Sequence, residues 1–496
     1  MKIKNLKYVP ALMLSLAFFS CEDFLNINDN PNSLGEEKVT PDKVLPGALT
    51  TTYRVQARTM NQLGNIYMQN WGGDVNNFTG ANTDEYSHAI TNTFYSGIWD
   101  GLYPGIYQFH RIANFESDNY DNHKAVALIM KSFYMQYIVD IYGDAPYSEA
   151  FQGQENTTPG YDDDQAIYRD LITNLDNAIA LFYGTDANDA PLGISDVVFD
   201  GNIGEWVKFA NTLKVRILLR QSELADTDAA TATYLTEEFA KVAETGVFLT
   251  QSASINPGYT TAAAAQLNPF YSIFKTTTGV DTQTFLFTRA TAYISDFLNG
   301  DANGVIDPRR GRLYTLVDGE VVGAVQGELS GPPVMSQIGP GLLTSGTQDG
   351  YIMTLSEAKF LLAEAIHRGY LEGNAQAEFE AGIVDSFARL GNTAGDASGY
   401  LVAIDGVDGL GWNGSANKIE AIMTQKWLAV NGFNAIESWI DYTRTGFPDV
   451  PPATIAQYPN RPYRLLYPTS ELVANSANVP NVTLAQIFVQ GPFWKN

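Results

Sequence analysis

Two stretches of the sequence place aromatic side chains beside amides on backbone rich in glycine and asparagine. The first runs from Trp71 through Gly72-Gly73 to Asn76, Asn77 and Phe78. The second lies between 280 and 310 and holds Tyr293, Asp296, Asn299 and Arg309. Such a mixture suits recognition of a polar ligand that also has apolar faces. The rings stack, and amides, carboxylates and guanidinium groups take the hydroxyls. Trp71 has an alternative role as a plug that ties the end of its helix into the core. Phe94, Tyr95 and Trp99 fall on a helical pattern and read as core.

Covalent chemistry has little to stand on. The chain contains no G-x-S-x-G, no H-E-x-x-H and no P-loop lysine motif. Its four histidines, His88, His110, His123 and His367, are not spaced as a zinc site. With 55 Asp and Glu, two carboxylates at glycosidase separation would arise by chance, so such a pair says little. Asp301, Asn303 and Asp307 are spaced loosely like a calcium loop, but Gly304 is out of place and no terminal Glu follows. A turn capped by Asx side chains fits better. No enzyme, no metal and no cofactor is expected.

The N-terminus is read as an export signal. Lys2, Lys4 and Lys7 precede the uncharged run Tyr8 to Ser20, too short to span a bilayer as a helix. Cys21, the single cysteine, follows directly. A small residue before a lone cysteine at the end of an apolar run reads as a lipoprotein cleavage site, although Phe18 stands where leucine is more usual. Cys21 is then the acylated N-terminus, and several acyl chains hold a large domain at a membrane. The alternative is an ordinary signal whose cysteine is incidental. With Cys21 acylated, no disulfide can form.

Composition narrows the class further. The 496 residues are 45% hydrophobic, enough for a sizeable core. A net charge of −25 argues against nucleic acid and against anionic lipid surfaces. After the signal no apolar run is long enough to cross a membrane. The 27 Tyr and 7 Trp, with abundant Asn, Gly and Thr, suit an exposed extracytoplasmic protein.

Apolar periodicity then supplies the elements that must position the two stretches. Helices are expected from Pro41 to about Gln69, over 94–115 with a kink at Pro104, and over 123–142 with one apolar stripe. Gly143 should stop the last of these. Another follows Asp162-Asp163-Asp164, whose charges favour its N-terminal dipole. A further helix, 204–223, carries Lys208, Lys214, Arg216 and Arg220, which could pair with those acidic faces but are read as solvated cations. Residues 246–350 lose the periodicity and gain Pro, Gly and Thr. Helical hairpins return at 354–390, opened by a Thr354–Glu357 capping box, and at 415–443. The division is a signal (1–20), a tether (21–41), a helical part (42–245), an irregular insert (246–350) and C-terminal hairpins with a tail (351–496). The fold class is mostly α, with tetratricopeptide-like hairpins and a loop-rich, ligand-facing subdomain.

Several segments resemble the SusD/RagB family of nutrient-binding outer-membrane lipoproteins. They are CEDFLNINDNPN after the signal, VDIYGDAPYSEAF at 139–151, WVKFANTLKVRILLR at 206–220, SEAKFLLAEA at 356–365, KIEAIMTQKWLAV at 418–430 and RPYRLLYPTSELVANSANVP at 461–480. The resemblance spans nearly the whole mature chain and is nearest to the SusD-like branch. It implies a surface lipoprotein at the outer membrane that pairs with a TonB-dependent SusC-like transporter and delivers an oligosaccharide to it. Some members take peptides, and a surface glycoside hydrolase and a structural or adhesive lipoprotein are the alternatives to a glycan receptor. No ligand residue transfers position by position, so Trp71, Asn76, Asn77, Phe78, Tyr293, Asp296, Asn299 and Arg309 rest on chemistry alone.

Overall fold

The structure is a computed structural model that describes residues 39–80, 82–185 and 188–495. The signal, Cys21 and most of the tether lie outside the described residues. What is described is mostly helical, with two small antiparallel sheets.

Helix α1 (Pro41–Val55) starts with proline at its first turn, where a missing N–H leaves nothing unsatisfied. A π turn (Gln56–Met60) carries it into α2 (Asn61–Tyr67). Strand β1 (Trp71–Gly73) follows, then α3 (Gly97–Ala113), which runs through Pro104. Helix α4 (Asp121–Tyr142) does not show the single apolar stripe expected. It is buried around almost its whole circumference from Ala125 onward, because α1, α3, α5 (Asp164–Gly184) and α6 (Ile203–Leu219) surround it. Gly143 ends it at a φ of +76°, the conformation that favours glycine. The acidic start of α5 works as a cap. Asp163 Oδ1 accepts from Ala166 N at 2.9 Å, and Asp144 Oδ1 accepts from Asp164 N at 3.1 Å. Burial pushes the Asp164 carboxyl up to about 6.

Helix α7 (Ala229–Thr245) packs on α6. The region after it holds β2 (Ala253–Ile255), β3 (Thr288–Ala290), β4 (Gly350–Met353) and short helices such as Ala292–Asn299. Two ladders tie this region to the rest. Strand β1 pairs with β3, and β2 pairs with β4. The C-terminal helices are α8 (Leu355–His367), α9 (Ala375–Leu390), α10 (Ala394–Ile404), α11 (Lys418–Val430) and α12 (Ile436–Thr445). Packing of α8 on α9 and of α11 on α12 gives two hairpins. Gly64 sets how closely α2 meets α12, since a Cβ there would overlap the backbone of Ala435. The main apolar core draws on residues from Leu45 to Trp494, and a second, smaller cluster lies among α8, α9, α10 and α11.

A buried ion network crosses this core. Arg216 and Arg220 are not solvated, contrary to the sequence reading. Arg216 lies 3.2 Å from Glu357 and 3.4 Å from Glu437. Arg220 meets Glu437 at 2.6 Å, Asp441 at 3.1 Å and Asp140 at 3.2 Å. Lys426 pairs with Asp441 at 2.7 Å, and Arg444 forks onto Glu364 at 2.6 and 2.8 Å. Lys208 and Lys214 pair with Glu205 and Asp176. The capping box at α8 is therefore only half made. Thr354 accepts from Glu357 N at 3.1 Å, but the Glu357 carboxylate faces Arg216 and Asn434 instead of the cap. Burial opposes the charge on Glu364, yet Arg444 and Arg368 prevail and hold its carboxyl at about 2.

Candidate functional site

The pairing of β1 with β3 builds the site. Trp71 opposes Ala290, Gly72 opposes Arg289 and Gly73 opposes Thr288. Glycine is needed at 73 because a Cβ there would overlap the ring of Phe287. The chain then turns on Asp74. Its carboxylate accepts the backbone N–H groups of Asn76 and Asn77, both at 3.2 Å, in an Asx turn. The same carboxylate pairs with Arg289 at 2.9 Å. Burial draws the Arg289 guanidinium below its ordinary value despite that partner. The turn delivers Phe78 edge-to-face against Phe287, with ring centroids 5.4 Å apart.

These two rings stand in a cleft of about 500 Å³ together with Arg58, Gln62, Gln283 and Thr284. Phe78 and Phe287 are half-buried, while Gln283 and Thr284 are exposed. Arg58 donates to Ser272 Oγ at 2.8 Å, which fixes one edge. Burial, with Arg54 nearby, lowers its pKa. The lining contains no Asp, Glu, His or Cys among the described residues. Its chemistry is that of two aromatic faces bordered by amides, a hydroxyl and a guanidinium.

Of the residues expected to bind, Phe78 reaches this cleft. Trp71 does not. It is 3% exposed and packs against Phe270 and Phe274, with centroids 6.3 and 5.6 Å away. The plug role is the one this geometry supports, and Trp71 has no free face for a ligand. It lies instead along a small hollow that shares Gln62, Ile273, Thr284 and Phe287 with the cleft. Asn76 and Asn77 are exposed but engaged. Asn76 donates to Pro332 O at 2.8 Å and accepts from Gly331 N at 3.1 Å, so it pins the 325–335 loop. Asn77 donates to Asp74 at 2.9 Å.

The second expected stretch reaches the cleft through Gln283, Thr284 and Phe287, but the four residues singled out in it do not line the cleft. Tyr293 packs its ring 5.9 Å from Trp427 and donates to Asp449 O at 3.3 Å. Asn299 closes on Val321 O at 2.8 Å. Arg309 is fully buried. It pairs with Asp307 at 2.7 Å and donates to Ser386 and Gln425 at 2.8 and 3.0 Å. Asp296 is exposed, with its carboxyl raised by partial burial and by Asp301. The calcium-like spacing resolves into a turn. Asn303 donates to Phe297 O at 3.0 Å and accepts from Val305 N at 2.9 Å, while Arg309 occupies Asp307. Sequence reasoning missed Phe287, Gln283, Arg58 and Gln62. Phe287 follows a Thr282 cap in a mixed stretch, and its partnership with Gly73 is long-range, so no local pattern announces it.

The chain is mostly helical, and the paired strands β1 and β3 sit beside an aromatic cleft. Comparisons place it in a family. A SusD-like family model, described as starch-binding associating with outer membrane, matches residues 31–468. The chain therefore belongs to the SusD/RagB family, in its SusD-like branch. It is similar to a chitin-binding SusD homologue from Flavobacterium johnsoniae, at 26% identity and a TM-score of 0.70, over 88% of this chain and 94% of that one. A SusD/RagB family protein from Bacteroides thetaiotaomicron matches at 21% identity and TM-score 0.69, over 92% and 99% of the two chains. A chitin-binding protein matches at 24% identity and TM-score 0.68, over 88% and 95%. No curated protein matches the chain. Among the described residues no helix is long and apolar enough to cross a membrane.

Proposed function

We propose that this chain captures a nutrient oligosaccharide in the Phe78–Phe287 cleft and delivers it to a TonB-dependent SusC-like transporter of the outer membrane. The observation that carries the reading is the edge-to-face ring pair bordered by Gln62, Gln283 and Arg58. Sugar rings stack their apolar faces on aromatic rings, while amides and guanidinium groups take the hydroxyls. The family match and the chitin-binding relatives support a glycan. Among the described residues the lining has no carboxylate, imidazole or thiol, which favours binding over hydrolysis. Isothermal calorimetry with maltohexaose and N-acetylchitohexaose tests the reading. Phe78→Ala should weaken the sugar that binds by about 1 kcal/mol or more, with little change in melting temperature. Unchanged affinity in Phe78→Ala, or no binding of either sugar, would remove the assignment.

The anchor belongs to the same proposal. An acylated Cys21 would hold the receptor beside its transporter at high effective concentration, so modest intrinsic affinity suffices. Cys21→Ala should move the protein from the membrane pellet to the soluble fraction. Recovery of that variant in the pellet would count against the lipid anchor.

A further inference from the structure

A second cleft, of about 510 Å³, lies between α3, the segment after α4 and the short helix Thr469–Ala474. It shares no lining residue with the Phe78 cleft. Tyr103 and Tyr107 stand one turn apart on α3, separated by a rise of about 6 Å. Phe151 extends the row, 6.1 Å from Tyr103. Its backbone sits at a φ of +69°, a conformation that non-glycine residues rarely hold without support from their surroundings. That support comes from the His110 ring at 5.1 Å and the Lys131 ammonium at 5.6 Å.

Two carboxylates border these rings. Asp100 Oδ1 accepts from the Ser470 hydroxyl at 2.6 Å, and Glu471 Oε2 accepts from the Tyr161 hydroxyl at 2.9 Å. The other oxygens, Asp100 Oδ2 and Glu471 Oε1, have no hydrogen-bond partner among the described residues. No Lys or Arg is among the described residues that line the cleft, although the Lys131 ammonium lies 5.6 Å from the Phe151 ring and the Arg111 guanidinium 5.9 Å from the Tyr107 ring. The cleft joins a row of ring faces to two carboxylates that pair with no Lys or Arg among the described residues.

We propose that this cleft binds a cationic amino-sugar oligomer. The sugar rings lie on Tyr103, Tyr107 and Phe151, and protonated amines meet Asp100 and Glu471. An ammonium close to aromatic faces gains from both the rings and the carboxylates. A peptide strand is a poorer occupant. No strand edge lines the cleft, so its main-chain groups would find no ladder partners.

The assignment stands independently of the Phe78 cleft. Calorimetry on the full chain at mildly acidic pH compares the glucosamine tetramer with the N-acetylglucosamine tetramer. The cationic tetramer should bind about tenfold more tightly, and added salt should erode the difference. The double variant Asp100→Asn, Glu471→Gln keeps a carbonyl oxygen for each hydroxyl and should fold normally while losing the preference. Tyr107→Ala should weaken the cationic tetramer, and Phe78→Ala should leave its binding here unchanged. Equal affinity for the two tetramers, absence of binding, or a preference that survives the double variant would overturn the proposal. So would displacement of the cationic tetramer by oligolysine at equal amine concentration, which would assign the cleft to a polypeptide.

Discussion

Arg220→Ala should be among the most damaging single substitutions in this protein, with a loss of about 3–5 kcal/mol of stability. The side chain is fully buried and touches three carboxylates, Asp140, Glu437 and Asp441. Removing it leaves those groups desolvated, with Lys426, Arg216 and Arg444 as the remaining cations beside Glu437 and Asp441. Asp140 is already raised by burial, and Arg220 is what opposes that. Glu437 is drawn far below its ordinary value against its own burial, with Arg220 the foremost cause. Urea unfolding followed by far-UV circular dichroism measures the effect as a shift in midpoint. Arg220→Lys should recover only part of the loss, because a single ammonium cannot fork toward three acids. A change under about 1 kcal/mol in Arg220→Ala would mean that the network relaxes or takes in water, and that its geometry contributes little.

Trp71→Ala should act almost as strongly, and through a different cause. Trp71 seals the turn between α2 and the insert by packing on Phe270 and Phe274. Deleting a buried indole costs about 3–5 kcal/mol when the site cannot collapse. Collapse is restricted here, since Trp71 belongs to β1 and its carbonyl accepts from Gln326 at 2.9 Å. The melting temperature should fall sharply. Binding by the folded fraction should weaken less than in Phe78→Ala, because Trp71 supports the cleft floor and offers no face to the ligand. A variant with native melting behaviour and no sugar binding would restore the stacking role to Trp71.

Much of the helical scaffold was legible because helices announce themselves locally. Gly143, Asp163 and Thr354 act at the helix ends where their residue types suggest. Helix α4 was legible in position but not in exposure, since periodicity does not say how many neighbours surround a helix. The cations on α6 misled for a related reason. Arginine is usually solvated, and the carboxylates that neutralise Arg216 and Arg220 lie on α4, α8 and α12. The site was only partly legible. Asp74, Asn76, Asn77 and Phe78 form a turn that composition can flag, but composition does not reveal that Asn76 and Asn77 are consumed by the turn and the adjoining loop. Arg309 looked like a ligand-binding cation because its companion Asp307 sits only two residues away and was read as a turn residue.

The ion network also bears on the order in which the chain can assemble. Arg216 reaches Glu357 across 141 residues, and Arg220 reaches Asp441 across 221. Until α8 and α12 have been made and docked, helices α1 to α6 have Asp140 but not the other carboxylates these two arginines require. Packing α6 early would strand positive charge in a dry interior, so an unfinished chain gains by leaving that face hydrated. Loop closure over such distances is slow relative to local helix formation. The final collapse of the helical core is thereby tied to completion of the C-terminal half. A chain cut off before α8 would present a wet, charged seam where a finished one presents its core.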